Sequence, residues 1–200
     1  MPRTNCFQKF LALFLAFALS MTVLAAPAVH AKEPEPKFDV FSEAAYLVNN
    51  ETGRVIYEKN ADKMLSPASL VTIMTAIIAI ENCSDLEGTV VTAPTSIFDE
   101  LYTLGAANVD IRHGEEVRMI DLLYAMILRS ACEAASIIAN YIGNGDNAVF
   151  VEMMNQKAQE IGATHTHFAN PHGLPDDNQY TTAKDMYLIT KYAMEMDPIF

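Results

Sequence analysis

Basic residues are scarce in this sequence. Lys and Arg number 13 against 25 Asp and Glu, a formal net charge of −12. That balance argues against nucleic acid and against anionic membrane surfaces as partners, since both would repel it. Long apolar runs are scarce too. Phe10 to Leu24 is 15 residues without a charge, shorter than the ~20 a helix needs to cross a bilayer, and no second run is long enough. Cysteine is confined to Cys6, Cys83 and Cys132, too few for a disulfide scaffold. No repeat and no low-complexity tract occurs. His165, His167 and His172 sit close together in sequence but lack the spacing and fourth partner of a zinc site, so no metal and no cofactor is expected.

What is present begins with an export signal. Arg3 and Lys9 precede the apolar run, and Val29 and Ala31 stand at the −3 and −1 positions of a cleavage site. Residues 1–31 read as a signal peptide, followed by a Pro- and charge-bearing linker over 32–42. Cleavage removes two basic residues and no acid, so the net charge falls from −12 to −14. The chain is expected outside the cytoplasmic membrane, in the cell envelope. Two hundred residues that are 51% apolar suit one domain with a sizeable core.

Two short strands are expected, Ala44 to Asn49 and Arg54 to Lys59, around Asn50-Glu51-Thr52-Gly53. Ser66 can cap a helix with Pro67 in its first position. Leu70, Ile73, Met74, Ile77 and Ile78 then give one apolar face at helical period, to about Asn82. Thr89 to Thr92 reads as a short strand and Pro94 to Gly114 as irregular. Helical faces follow at Met119–Ile127, at Ala134–Tyr141 and at Phe150–Ile161, the last stopped by Gly162. Thr182 with Asp185 three residues on resembles a capping box. That helix is expected to run until Pro198.

Three stretches could carry chemistry. Ser69 falls in the first turn of its helix, where the dipole favours developing negative charge, with Thr72 beside it on the same face. Most serines at such positions are caps or solvated hydroxyls. The second stretch is Ser130-Ala131-Cys132-Glu133, where one apolar helix meets the next. It reads equally as interhelical packing, since free Cys commonly behaves as a small buried hydrophobe. The third is Asn170-Pro171-His172-Gly173-Leu174, leading into Thr182-Ala183-Lys184-Asp185-Met186.

Together with Ala45-Tyr-Leu-Val-Asn-Asn-Glu-Thr-Gly53 and Val55-Ile-Tyr-Glu-Lys-Asn-Ala-Asp62, these stretches resemble the low-molecular-weight penicillin-binding proteins. Those are the serine-type D-alanyl-D-alanine carboxypeptidases of peptidase family S11. The resemblance runs from about Glu43 to Phe200. It implies a β-lactamase/transpeptidase-like α/β (α+β) fold, here a helical lobe plus an N-terminal β-hairpin, with the C-terminal sheet strands missing from residues 43–200. It implies Ser69 as nucleophile, Ser130 as proton relay, and His172 and Gly173 at a substrate-binding wall. It also implies peptidoglycan stem peptides or β-lactams as partners if the cleft is intact.

The family is read by S-x-x-K, S-x-N and K-T-G. Here Thr72 replaces the base lysine, Cys132 replaces the asparagine, and the 200 residues hold no K-T-G. A threonine hydroxyl is no more basic than the serine it would activate, and a thiol lacks an amide's paired donor and acceptor. Lys63, six residues before Ser69, reads as a solvated charge. The expectation is an impaired enzyme. A non-catalytic cell-wall binding or regulatory protein and a gene remnant are the alternatives. Cys83 falls about 21 Å along the axis from Ser69 at 1.5 Å per residue, so Cys83 and Cys132 are expected to remain free. Without the remaining strands, the helix face from Leu70 to Ile78 is expected to lie partly in water. Residues 32–200 alone should then be aggregation-prone or partly molten unless a second polypeptide supplies them.

Overall fold

The computed structural model describes residues 38–196. The signal-peptide assignment and the Pro198 stop lie outside that range.

The first element is the hairpin. Strand β1 (Ala45–Asn49) pairs antiparallel with β2 (Arg54–Lys59), Ala45 opposite Lys59 and Asn49 opposite Arg54, with a register shift between Leu47 and Val48. Asn49 Oδ1 accepts from both the N–H and the hydroxyl of Thr52 at 2.9 Å. Alternation puts Tyr46 and Val48 on the half-buried face and Leu47 on the exposed one.

Helix α1 (Val71–Asn82) is the centre of the molecule. It packs against four others: α3 (Met119–Arg129), α4 (Cys132–Ile142), α5 (Asn147–Ile161) and α6 (Ala183–Glu195). Val71, Met74, Ile77 and Ile78 meet a core that includes Leu122, Met126, Ile137, Phe150, Met154, Phe168 and Ile189. Ala131, Ala134, Ala135 and Ala139 are wholly buried and carry only a methyl each, which lets the helices approach closely.

The start of α1 corrects the sequence reading. Ser66 does not cap it and Pro67 is not its first residue. Ala68 has φ +48°, which an α-helix cannot contain. Residues Ala68–Leu70 instead form a 3₁₀ turn, and the α-helix starts at Val71. Ser69 therefore lies just ahead of the helix rather than inside its first turn. The α1 face lies partly in water, as expected, but only at its start. Met74, Ile77 and Ile78 are buried; only Leu70, 51% exposed, and part of Ile73 are left uncovered. The apolar face is closed by helices, not by a sheet.

Pro94 to Gly114 is less irregular than expected, because it contains α2 (Phe98–Thr103), six residues that are too short to show a helical period. Strand β3 (Val90–Thr92) pairs with β4 (Glu116–Arg118), a segment that the sequence reading left unassigned. The later helices end where their caps dictate. Asp146 accepts from the N–H of Ala148 at the start of α5, and Gly162, at φ +90°, stops it in the left-handed conformation open to glycine. Thr182 accepts from the N–H of Asp185 at 3.0 Å. The Asp185 carboxylate, however, reaches across the chain to the N–H of His165 at 2.7 Å and the Thr166 hydroxyl at 2.8 Å. Only half of the capping box forms. Cys83 and Cys132 are both free and buried. No helix among the described residues is long and apolar enough to cross a membrane.

Candidate active site

Ser69 sits exposed on the 3₁₀ turn, and its position is fixed from two sides. The Leu65–Thr181 bridge ties the preceding strand-like residue to the loop ahead of α6, with N–H to oxygen distances of 2.8 and 2.9 Å. On the other side lies Gly173, at φ +86°. A Cβ there would stand 2.0 Å from the Ala68 carbonyl oxygen and 2.9 Å from the Ser69 nitrogen. Only a glycine allows the His172–Leu174 backbone to approach the serine turn so closely.

That loop is held by side-chain amides. Asn170 Oδ1 accepts from the N–H of Gly173 at 2.8 Å, and Asn170 Nδ2 donates to the Leu174 carbonyl at 3.0 Å. Buried Gln179 accepts from the N–H groups of Ala169 and Asn170 and donates to the Leu174 carbonyl. Thr75 on α1 donates to the Pro171 carbonyl at 2.6 Å. The sequence reading missed Thr75 and Gln179. Both are polar residues at buried positions, and their partners lie 96 and about 10 residues away. Nothing local announces them.

Thr72 is buried, and its hydroxyl donates to the carbonyl oxygen of Ser69 at 2.8 Å. It faces the serine's main chain and is spent there as a donor. Among the described residues no hydrogen bond is made by the Ser69 hydroxyl. Lys63 pairs with the exposed Glu43 carboxylate.

Ser130 ends α3 in the left-handed conformation, φ +52°, and Ala131 then extends so that α4 can begin at Cys132. A non-glycine residue pays roughly 1–2 kcal/mol for that region. Both candidate serines thus adjoin or occupy left-handed backbone, at Ala68 and at Ser130, and such strain clusters at functional sites. The Cys132 thiol points at the Ser130 carbonyl, 3.7 Å away. Burial first, and the neighbouring Glu133 carboxylate second, push its pKa up. It is a neutral thiol at pH 7. No hydrogen bond among the described residues joins the Ser69–Thr72 pair to the Ser130–Cys132 pair.

His172 Nδ1 accepts from the N–H of Leu174 at 3.2 Å, which puts the ring proton on Nε2. Burial lowers its pKa to about 4. His167 bonds the Asn178 carbonyl and stacks on Tyr180, while His165 is held through its main chain by Asp185. The three histidines do not converge.

A serine on a strained turn before a central helix, with a second serine at a helix junction, is set here in the fold of the DD-peptidases and DD-transpeptidases. The D-alanyl-D-alanine carboxypeptidase DacD from Francisella tularensis superposes with a TM-score of 0.74 at 32% identity, over 89% of this chain and 42% of that one. The Streptomyces K15 DD-transpeptidase gives 0.75 at 28% identity, over 80% and 63%. A family model described as D-alanyl-D-alanine carboxypeptidase, peptidase family S11, matches residues 28–199. The chain belongs to that family. Curated relatives include DacF of Bacillus subtilis, 29% identical over 90% of this chain, and DacC of Escherichia coli, 31% identical over 92%. The chain spans 46% and 44% of their respective lengths.

Proposed function

We propose that this chain is a catalytically impaired D-alanyl-D-alanine carboxypeptidase, built around the acyl-transfer serine Ser69 and directed at peptidoglycan stem peptides or β-lactams. The observation that carries the reading is the Thr72 hydroxyl, which donates to the Ser69 carbonyl where a base should take the Ser69 proton. A serine hydroxyl is a weak nucleophile until a neighbour accepts that proton, and a general base supplies ~10²–10⁴ in rate. The Cys132 thiol, neutral and buried, cannot orient substrate as an amide would. Ser130 keeps the proton-relay role, and His172 with Gly173 walls the cleft.

Release of D-alanine from a peptide ending in D-Ala–D-Ala tests this. The unmodified chain should show none above background. The pair Thr72→Lys and Cys132→Asn should exceed either single change. Turnover by the unmodified chain would refute the proposal.

One observation favours a second reading, a non-catalytic cell-wall binding protein. The loop wall made by Asn170, Gly173 and Gln179 keeps its hydrogen bonds although the base is gone. Equilibrium binding of the same peptide without turnover would support it. A gene remnant predicts neither binding nor a cooperative fold. A partner polypeptide also belongs to the proposal. A groove of about 480 Å³ beside the hairpin is lined by Tyr46, Leu70, Ile73, Met186 and Tyr187, and Leu47, Val55 and Ile56 of the hairpin are exposed. Strands from a second chain of the same fold would cover both. Export completes the proposal: N-terminal sequencing of envelope material should begin at Lys32.

A further inference from the structure

Beside the Ser130–Cys132 junction lies a cavity of about 620 Å³, within the usual size range of small-molecule sites. It is bounded by α2, by the Gly105–His113 stretch and by the start of α4. Phe98, Leu101 and Ile111 give it apolar walls, and Tyr102 adds an aromatic ring. Besides the Tyr102 phenol, four of its lining side chains are ionisable: Asp110, Arg112, His113 and Glu133. Arg112 Nη2 and Asp110 Oδ2 pair at 3.1 Å and largely cancel.

Glu133 is different. It is only 3% exposed. One carboxylate oxygen, Oε1, accepts from the N–H of Val109 at 2.6 Å. The other, Oε2, is buried and has no hydrogen-bond partner among the described residues. A carboxyl group held out of water with one oxygen unpaired is an unmet demand for a donor, and a charged donor meets it best. The Ala107–Val109 stretch is tied to α4 by the Cys132 N–H, which donates to the Ala107 carbonyl at 2.9 Å, and by the Val109 bond, so that Glu133 is held in the cavity wall.

We infer that this cavity binds an organic cation, a primary ammonium or amidinium on an apolar frame, with Glu133 as its counter-ion. The apolar frame packs on Phe98 and Leu101, and the rings of Phe98 and Tyr102 attract the cation as well. The assignment does not depend on any chemistry at Ser69.

Calorimetric titration of the full chain at pH 8 gives the test. The probes are benzylamine and benzamidine, with benzyl alcohol and benzoate as the neutral and anionic counterparts of similar shape. Both cations should bind at least about tenfold more tightly than benzyl alcohol, and benzoate should not bind. Amide and ring signals of Val109 and Tyr102 should shift with the cations. Glu133→Gln should remove the preference, and Glu116→Gln, which takes one charge from the exposed surface, should leave it. If Glu133→Gln fails to fold, the charge series on the unmodified chain decides. Benzyl alcohol or benzoate binding within twofold of benzylamine would overturn the assignment. So would the absence of cation binding up to roughly 10 mM, or equal effects of the two substitutions.

Discussion

Gly173→Ala is the change that strikes the candidate site hardest with the fewest atoms. Two costs combine. The first is conformational: at φ +86° an L-residue pays roughly 1–2 kcal/mol. The second is steric. The new methyl would stand 2.0 Å from the Ala68 oxygen and 2.5 Å from the Ala68 carbon. Both are backbone atoms that cannot swing aside, so the loop or the serine turn must move. Overpacking of this kind costs typically 1–3 kcal/mol, and movement of the loop also strains the Asn170–Gly173 bond. The sum, roughly 2–5 kcal/mol, is a large share of a domain's usual 5–15. Gly162→Ala is the matched control, since Gly162 has φ +90° and nothing within 4 Å of its would-be Cβ. It should cost the conformational part alone. Urea unfolding followed by circular dichroism separates the two. With slopes of ~1–3 kcal/mol per M, the midpoints should differ by about 1 M, Gly173→Ala being lower. Equal midpoints would refute the close approach of this loop to the serine turn.

Acid should destabilise the fold through His172. Its pKa falls from 6.5 to about 4 on burial, so between those values the unfolded chain takes up a proton that the folded chain refuses. Stability from this group is complete above pH 6.5 and declines as pH drops, by about 1.4 kcal/mol per unit and at most ~3 kcal/mol near pH 4. Urea midpoints measured across that range should flatten in His172→Gln; an unchanged slope would count against the burial. Thr75→Val keeps the shape but leaves the Pro171 carbonyl without its buried donor, at a cost of roughly 1–3 kcal/mol by thermal melting. A melt within a few tenths of a kcal/mol of the parent would remove Thr75 as the loop's anchor.

Much of this architecture is legible in the sequence because it is written locally. The i, i+3, i+4 spacing of Met74, Ile77 and Ile78 marks α1, and Thr182 and Gly162 mark helix ends by side-chain chemistry and by backbone freedom. What escaped the sequence is non-local or conformational. Alanine carries no signal for a left-handed φ, so the break at Ala68, which removes Ser66 and Pro67 from the helix, appears only against Gly173. Strand β4 is defined by a partner some 25 residues away. The α1 face was expected to lie partly in water, and Leu70 does, but the sequence does not show how far helices α4, α5 and α6 cover the rest. At the candidate site, motif wording points to Ser69, Thr72, Ser130 and Cys132. It does not say where a hydroxyl points. The Thr72 bond to the Ser69 carbonyl and the orphaned oxygen of Glu133 come from geometry alone.

The central claim is that Ser69 lacks an activating base. Intact-mass analysis of the full chain after a short incubation with benzylpenicillin tests it most directly, because acylation requires the serine's proton to leave and adds the mass of the opened antibiotic. The account predicts no adduct on the unmodified chain, and none created or lost by Ser69→Ala. A stoichiometric adduct on the unmodified chain that disappears in Ser69→Ala would contradict it.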